Sequence, residues 1–277
     1  MILISGAHGV IGRALKELLD REQIQYQILT RENFDFNQVD LNLTLNDKNT
    51  KLVHLAASLP KPPNRQDSFE NSQITRLLDN SVYNFVSKRD IPVIYFSGCS
   101  LYSKRQQIYC DESSPLEAEI TSPYLMAKLA GDRLFSDLEF STVLRISSPL
   151  SPNLPDHLVV KKFIRQAISG EELCVEKNGS REQDFLDVDD IASAVHLTLV
   201  KEIFGKFNVC SGNPTTMLEL AISITKIVGK GDVRVESLHD VEFRNTAKYC
   251  NCKTCLALGW FPQVSLENSI TKIVRTL

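Results

Sequence analysis

The chain begins 1-MILISGAHGVIGRALKELL-19, in which three glycines spaced three apart, Gly6, Gly9 and Gly12, separate a short apolar run from an amphipathic segment. Ile2, Leu3 and Ile4 are apolar and rich in branched side chains, as in a strand, whereas Val10, Ile11, Ala14, Leu15, Leu18 and Leu19 recur at helical spacing. The glycines therefore sit on a strand-to-helix turn. Glycine admits positive φ and lets the backbone approach a ligand closely, while the helix that follows presents N–H groups and the positive end of its dipole. Anions are favoured there, and with a strand before and a helix after, the spacing reads as a dinucleotide turn. Its candidate residues are Gly6, His8, Gly9, Val10, Ile11, Gly12 and Arg13.

Composition narrows the partners. At 277 residues, 43% hydrophobic and 23% charged, the chain is long enough for a sizeable core and a smaller second lobe. A formal charge of −3, with Lys and Arg scattered, provides no basic field for a nucleic-acid backbone. No apolar run approaches the ~20 residues that span a bilayer, and a strand starting at the first residue leaves no room for a signal peptide, so a cytoplasmic protein without membrane partners is expected. Seven cysteines, an odd number without dense pairing, are expected to be reduced thiols.

Strand-like runs at Gln25–Leu29, Lys51–Leu55, Val93–Ser97 and Ser141–Ile146 alternate with helical patterns at Gly12–Arg21, Ser72–Ser87 and Ser122–Leu138. Such alternation predicts an α/β fold, a doubly wound parallel sheet of the Rossmann type with helices on both faces. After Pro149 the character changes. The stretch SSPLSPNLPDH (147–157) carries three prolines, and a helix near Leu158–Ser169, a strand near Leu173–Val175 and a helix from Asp190 follow. Residues 1–149 are thus expected to form the dinucleotide-binding domain, with 184–209 returning to it, and 150–277 to form mainly a smaller C-terminal substrate-binding lobe.

The G-x-x-G-x-x-G spacing resembles that of the extended short-chain dehydrogenase/reductases, the NAD-dependent epimerase/dehydratase family. An acidic residue about 20 positions past the glycines would bind adenosine ribose hydroxyls. Here the second strand ends QILTREN, and Thr30 and Arg31 offer a hydroxyl and a guanidinium to a 2′-phosphate, with Arg13 able to assist. NADP is therefore expected, with NAD the alternative. Asp40 and Leu41 in QVDLN, Leu55, Ala56 and Ala57 in VHLAAS, and Asn71 resemble further cofactor positions of the family.

The segment SPYLMAKLAGDRLF places Tyr124 and Lys128 four apart on a predicted helix, so both lie on one face. An ammonium group favours the phenolate, which brings a tyrosine toward acid/base work. By the resemblance Tyr124 moves the proton, and Lys128 lowers its pKa and holds the nicotinamide ribose. The family's third catalytic member is a serine or threonine, and its slot in YFSGCSLYS is Gly98. Ser100, two residues on and expected on the same side of an extended segment, or Ser97 takes its place. The sugar dehydratases that resemble this fold carry an Asp-Glu pair just after that hydroxyl, where this chain has Cys99 and Ser100.

Farther along, GSREQDFLDVDDIASAVHL resembles the family's R-x-x-D-F region, which implies that Arg181 clamps a nucleotide-sugar diphosphate. Ser148 in LRISSPL stands where the family often has a substrate-contacting asparagine, and His157 corresponds to a second acid/base in the branch resembling GDP-fucose synthase. CNCKTC, with Cys250, Cys252 and Cys255, has thiols at close spacing, yet with only His239 as a loose fourth ligand no metal is expected. The resemblance implies NADP(H)-dependent reduction of a 4-keto-6-deoxy nucleotide sugar, alone or coupled to epimerisation, in surface polysaccharide precursor biosynthesis, by a homodimer. An NAD-dependent nucleotide-sugar epimerase and a dinucleotide-binding regulatory protein that has lost catalysis are the alternatives.

Overall fold

The computed structural model describes residues 1–30, 49–58, 69–103, 109–117, 122–236 and 248–277. Arg31, Asp40, Leu41 and His239 lie outside the described residues. The main lobe starts β1 (Ile2–Ser5), α1 (Val10–Arg21), β2 (Tyr26–Leu29), β3 (Lys51–His54), α2 (Phe69–Ser87), β4 (Val93–Gly98), α3 (Pro123–Ser136) and β5 (Ser141–Ile146). Next come β6 (Ser148–Leu150), α4 (Val159–Ile168), β7 (Leu173–Val175), β8 (Glu182–Asp187), α5 (Val188–Lys201) and β9 (Gly205–Val209). The chain continues through β10 (Pro214–Thr216), α6 (Met217–Val228), β11 (Val233–Val235), α7 (Cys252–Leu258) and α8 (Leu266–Val274).

Six strands form one parallel sheet in the order β2-β1-β3-β4-β5-β9. Alternate side chains of each strand face opposite layers, so both faces must be covered. Ile2 and Ile4 of β1 join Ile94, Phe96 and Leu144 in a core with Leu15 and Leu19 of α1 and Ile191 and Val195 of α5. Leu3 faces the other way, with Val93, Tyr95 and Val143, into a core with Val82 and Phe85 of α2 and Phe135 of α3. The sheet is thus sandwiched between α1 and α5 on one side and α2 and α3 on the other. The strand order reverses beside β1 and β3, and the crevice at their carboxyl ends is where such sheets bind ligands.

The second lobe is built on α4, α6 and α8. Phe163, Ile164, Leu220, Ile224, Ile270 and Ile273 share its core with Leu173 and Val175. Its sheets are small: β10-β8-β6 and β11-β7. Two boundaries differ from the sequence expectation. From 184–209, α5 and β9 join the main lobe, whereas β8 pairs in parallel with β6 and antiparallel with β10 and divides its side chains, Leu186 packing into the main core and Phe185 into the second. Conversely, Leu258 and Trp260 pack into the α1/α5 core, where the Trp260 indole N–H donates to the Asp190 carbonyl oxygen at 3.1 Å, so this part of 150–277 belongs to the main lobe.

Candidate functional site

The glycine turn follows β1. Gly6 has φ +71°, a left-handed conformation that costs other residues energy. A Cβ there would lie 2.6 Å from the Ala56 nitrogen, and a Cβ on Gly12 would lie 2.6 Å from the Gly6 carbonyl oxygen. The turn is therefore closed against both the residues leaving β3 and the start of α1. The Gly9 N–H donates to the Gly6 carbonyl oxygen at 3.0 Å and the Arg13 N–H to Gly9 O at 3.0 Å. α1 has Gly9 as its N-cap, with no capping side chain and no acidic residue in its first turn. The N–H groups of Val10 and Ile11 are thus left facing out of the helix end, which suits a pyrophosphate. Arg13 Nε donates to the His8 carbonyl oxygen at 3.1 Å. Leu55 N–H bonds Ser5 O at 3.1 Å, and Ser58 Oγ donates to Asn71 Oδ1 at 2.7 Å, which brings Leu55, Ala56, Ala57 and Asn71 to the same crevice. Thr30 directly follows β2 at the sheet's near edge.

The start of α3 is set by its own sequence. Ser122 caps it, accepting from Leu125 N–H at 3.2 Å, and Pro123 occupies the first turn. Tyr124 is thereby held in the first turn of the helix. Lys128, one turn on, is only 7% exposed. Its Nζ sits 4.2 Å from the centre of the Tyr95 ring. Burial pulls the lysine below its ordinary pKa, while the charges of Asp79 and Asp132 oppose that shift.

The two candidate serines separate. Ser97 is buried and its hydroxyl donates to Asp132 Oδ2 at 2.6 Å. Ser100 is exposed. It does not continue an extended segment, as the sequence reading expected, because Cys99–Leu101 form a tight 3₁₀ turn. That turn folds Ser100 back toward Gly98: a Cβ on Gly98 would be 3.2 Å from Ser100 Oγ. The Ser100 hydroxyl thus occupies the space beside the slot that Gly98 leaves open.

Beneath these groups lies a buried polar layer that the sequence reading missed. Arg145 on β5 grips Asp132 through Nη2–Oδ1 at 2.9 Å and Nε–Oδ2 at 3.0 Å. It also donates through Nη1 to the Tyr102 hydroxyl at 3.0 Å, which donates to Asn208 Oδ1 at 2.6 Å. Asp79 on α2 accepts from the Tyr95 hydroxyl at 2.9 Å and pairs with His54 Nε2 at 2.9 Å. His54 Nδ1 in turn lies 2.6 Å from Ser5 Oγ. The signal was present as polar residues at core positions: His54 in an apolar strand, and Ser72, Thr75 and Asp79 at helical spacing on the buried face of α2.

A family model for the NAD dependent epimerase/dehydratase family matches residues 2–210. The chain belongs to this family. A putative UDP-glucose 4-epimerase of Methanocaldococcus jannaschii is 25% identical over 306 residues, covering 99% of this chain and 97% of the relative. UDP-N-acetylglucosamine 4-epimerase from Bacillus cereus superposes with a TM-score of 0.83 at 23% identity, over 100% of this chain and 96% of that one. RMD from Pseudomonas aeruginosa, complexed with NADPH, superposes with a TM-score of 0.81 at 22% identity, over 99% and 98% of the two chains.

In this epimerase/dehydratase-family member the remaining predicted residues lie on the second lobe. Ser148 is on β6, where its Oγ accepts from Gln183 Nε2 of β8. Arg181, exposed, immediately precedes β8, whose Phe185 pairs with Ser148. His157 lies two residues before α4, beside Asp156, which pairs with Arg165 at 3.0 Å and Lys161 at 3.2 Å. No disulfide joins the seven cysteines. Among the described residues no group of three or more His, Cys, Asp or Glu side chains is arranged to hold a metal ion. No described helix is long and apolar enough to cross a membrane.

Proposed function

We propose that this protein reduces the keto group of a 4-keto-6-deoxy nucleotide sugar with NADPH, as a cytoplasmic homodimer in surface polysaccharide precursor biosynthesis. The observation that carries the reading is Tyr124 at the N-terminus of α3, on one helix face with the buried Lys128, in a helix that packs against the 3₁₀ turn bearing the exposed Ser100. When bound along the glycine turn, the dinucleotide supplies the hydride that reduces the sugar's keto carbon. Tyr124 donates its phenolic proton to the keto oxygen, Ser100 orients that oxygen by donating a hydrogen bond, and Lys128 stabilises the phenolate left behind. Arg181 pairs with the substrate diphosphate, and Ser148 and His157 contact the sugar. Thr30 and Arg31, in place of an acidic residue after β2, favour NADP over NAD. Cys99 and Ser100, in place of an acidic pair, argue against water elimination.

The names of the M. jannaschii and B. cereus proteins favour a second reading, an NAD-dependent epimerase that returns its hydride to the same sugar. NADPH and NADH oxidation measured with CDP-, GDP-, dTDP- and UDP-linked 4-keto sugars decides between them. Stoichiometric NADPH consumption, lost in Tyr124→Phe while NADPH still binds, supports reduction; Arg31→Ala is then expected to lose the preference for NADPH over NADH. Firmly bound NAD with sugar inversion and no net oxidation supports the epimerase. For the homodimer, the exposed apolar side chains Phe69 (72%) and Leu77 (60%) on α2 and Met126 (45%) on α3 are the groups expected to meet a second copy. Leu77→Lys is expected to halve the mass seen in sedimentation.

A further inference from the structure

The buried layer under Tyr124 contains two carboxylates and two cations, and their pairing is uneven. Both oxygens of Asp132 are taken by Arg145, in two-point contact, and by Ser97. That ion pair neutralises itself. Asp79 is 2% exposed, yet its direct partners are the Tyr95 hydroxyl and the His54 ring, neither of which is a permanent cation. His54 Nε2 lies 2.9 Å from Asp79 Oδ1 and Nδ1 lies 2.6 Å from Ser5 Oγ, so Asp79 has hydrogen-bond partners in these groups but no lysine or arginine among them. An uncompensated buried charge is strongly destabilising. Lys128 has the converse need. It is buried, and its ammonium lies over the ring of the same Tyr95 whose hydroxyl is donated to Asp79.

We propose that Asp79 is the counter-ion of the Lys128 ammonium and, through it, a positioning residue for Tyr124. The Tyr95 ring is the spacer between the two charges: its face meets the cation and its hydroxyl meets the anion. The groups around Lys128 are Tyr124 and Asp132 on α3, Asp79 on α2 and Tyr95 on β4, with His54 on β3 and Arg145 on β5 behind them. Among these Asp79 is the strongest influence keeping the lysine protonated, ahead of Asp132. Gly131 makes the arrangement possible, because a side chain there would fall on the Tyr95 hydroxyl and the Asp79 carboxylate. Loss of the Asp79 charge leaves Lys128 to shed its proton, and the phenolate of Tyr124 then loses its neighbouring cation.

The inference rests on Tyr124 and Lys128 acting as the pair proposed above, but its test needs neither dinucleotide nor sugar. The near-ultraviolet absorbance of tyrosinate is titrated in each background with and without Tyr124→Phe, so that the difference reports Tyr124 alone. Asp79→Asn is expected to raise the Tyr124 midpoint by about one pH unit or more, a roughly tenfold loss of phenolate at a given pH. In a Lys128→Met background the same substitution is expected not to raise the midpoint, because only the loss of a nearby negative charge then acts and that favours the phenolate. An unmoved midpoint in the single variant, or an equal shift in both backgrounds, overturns the proposal. Should Asp79→Asn fold too poorly to titrate, denaturant unfolding gives the second reading. Asp79→Asn and Lys128→Met each lower the midpoint of unfolding, and the double variant recovers part of the loss; additive losses overturn the pairing. A chain that passes these tests and still binds no NADPH refutes the proposed reaction, not the ion pair.

Discussion

Substituting the glycines of the turn by alanine one at a time separates backbone strain from close approach. Gly6→Ala meets both. Its φ of +71° places alanine in the left-handed region, at about 1–2 kcal/mol. The new Cβ would lie 2.6 Å from Ala56 N and 2.7 Å from the Leu55 carbonyl carbon, against 3.4–4 Å for ordinary contact. Because those atoms are backbone, no rotamer relieves the clash, and forced repacking adds about 1–3 kcal/mol. The sum is about 2–5 kcal/mol. Gly9→Ala avoids the strain and meets only a mild close approach: φ is −71°, the nearest atom is Gly6 O at 3.3 Å, which must give by a few tenths of an ångström, and a weaker N-cap costs about 0.5–1 kcal/mol. Gly12→Ala falls between, since its 2.6 Å contact with Gly6 O is partly offset by the ~1 kcal/mol gained from alanine in a helix. Denaturant unfolding at constant m-value measures the order, and fluorescence titration with NADPH on the folded variants is expected to show weakened binding for Gly6 and Gly12. A Gly9→Ala variant as unstable as Gly6→Ala would refute the reasoning, because the turn would then not be closed as described.

Other perturbations reach the supporting structure. Arg145→Met leaves Asp132 buried without its two-point partner and is expected to cost about 3–5 kcal/mol in denaturant unfolding, with much of that recovered by adding Asp132→Asn. At the start of α6, Thr216 and Glu219 form a reciprocal cap, Glu219 N–H donating to Thr216 Oγ at 3.1 Å and Thr216 N–H to Glu219 Oε2 at 2.8 Å. Thr216→Ala is expected to lower stability by about 1 kcal/mol, or about 2–4 °C in Tm. The same bonds hold the Glu219 carboxyl below its usual pKa, so its contribution is complete above the ordinary glutamate range and lost as pH falls through the lowered value. Glu219→Gln should therefore flatten the acid limb of a stability profile.

Much of the main lobe was legible because it is local. Strand and helix periods fall within a dozen residues, the glycine turn is contiguous, and the Tyr124–Lys128 spacing follows from helix geometry alone. The two serines show where this ends. Ser97 and Ser100 are equivalent hydroxyls on paper; one is spent on Asp132, 35 positions away, and the other is turned outward by a 3₁₀ turn. The second lobe was less legible, since β6, β8 and β10 are strands of 3, 6 and 3 residues whose pairing depends on partners distant in the chain.

The amino-acid order by itself determined the alternation of strands and helices, the glycine turn and the phenol one helical turn from an amine. Tertiary structure alone decided what surrounds that amine. Asp79, Tyr95 and Lys128 come from three elements, and their charges acquire meaning only when packing removes the water between them. A charge balance in a buried layer is a property of folded proximity, which no spacing along the chain encodes.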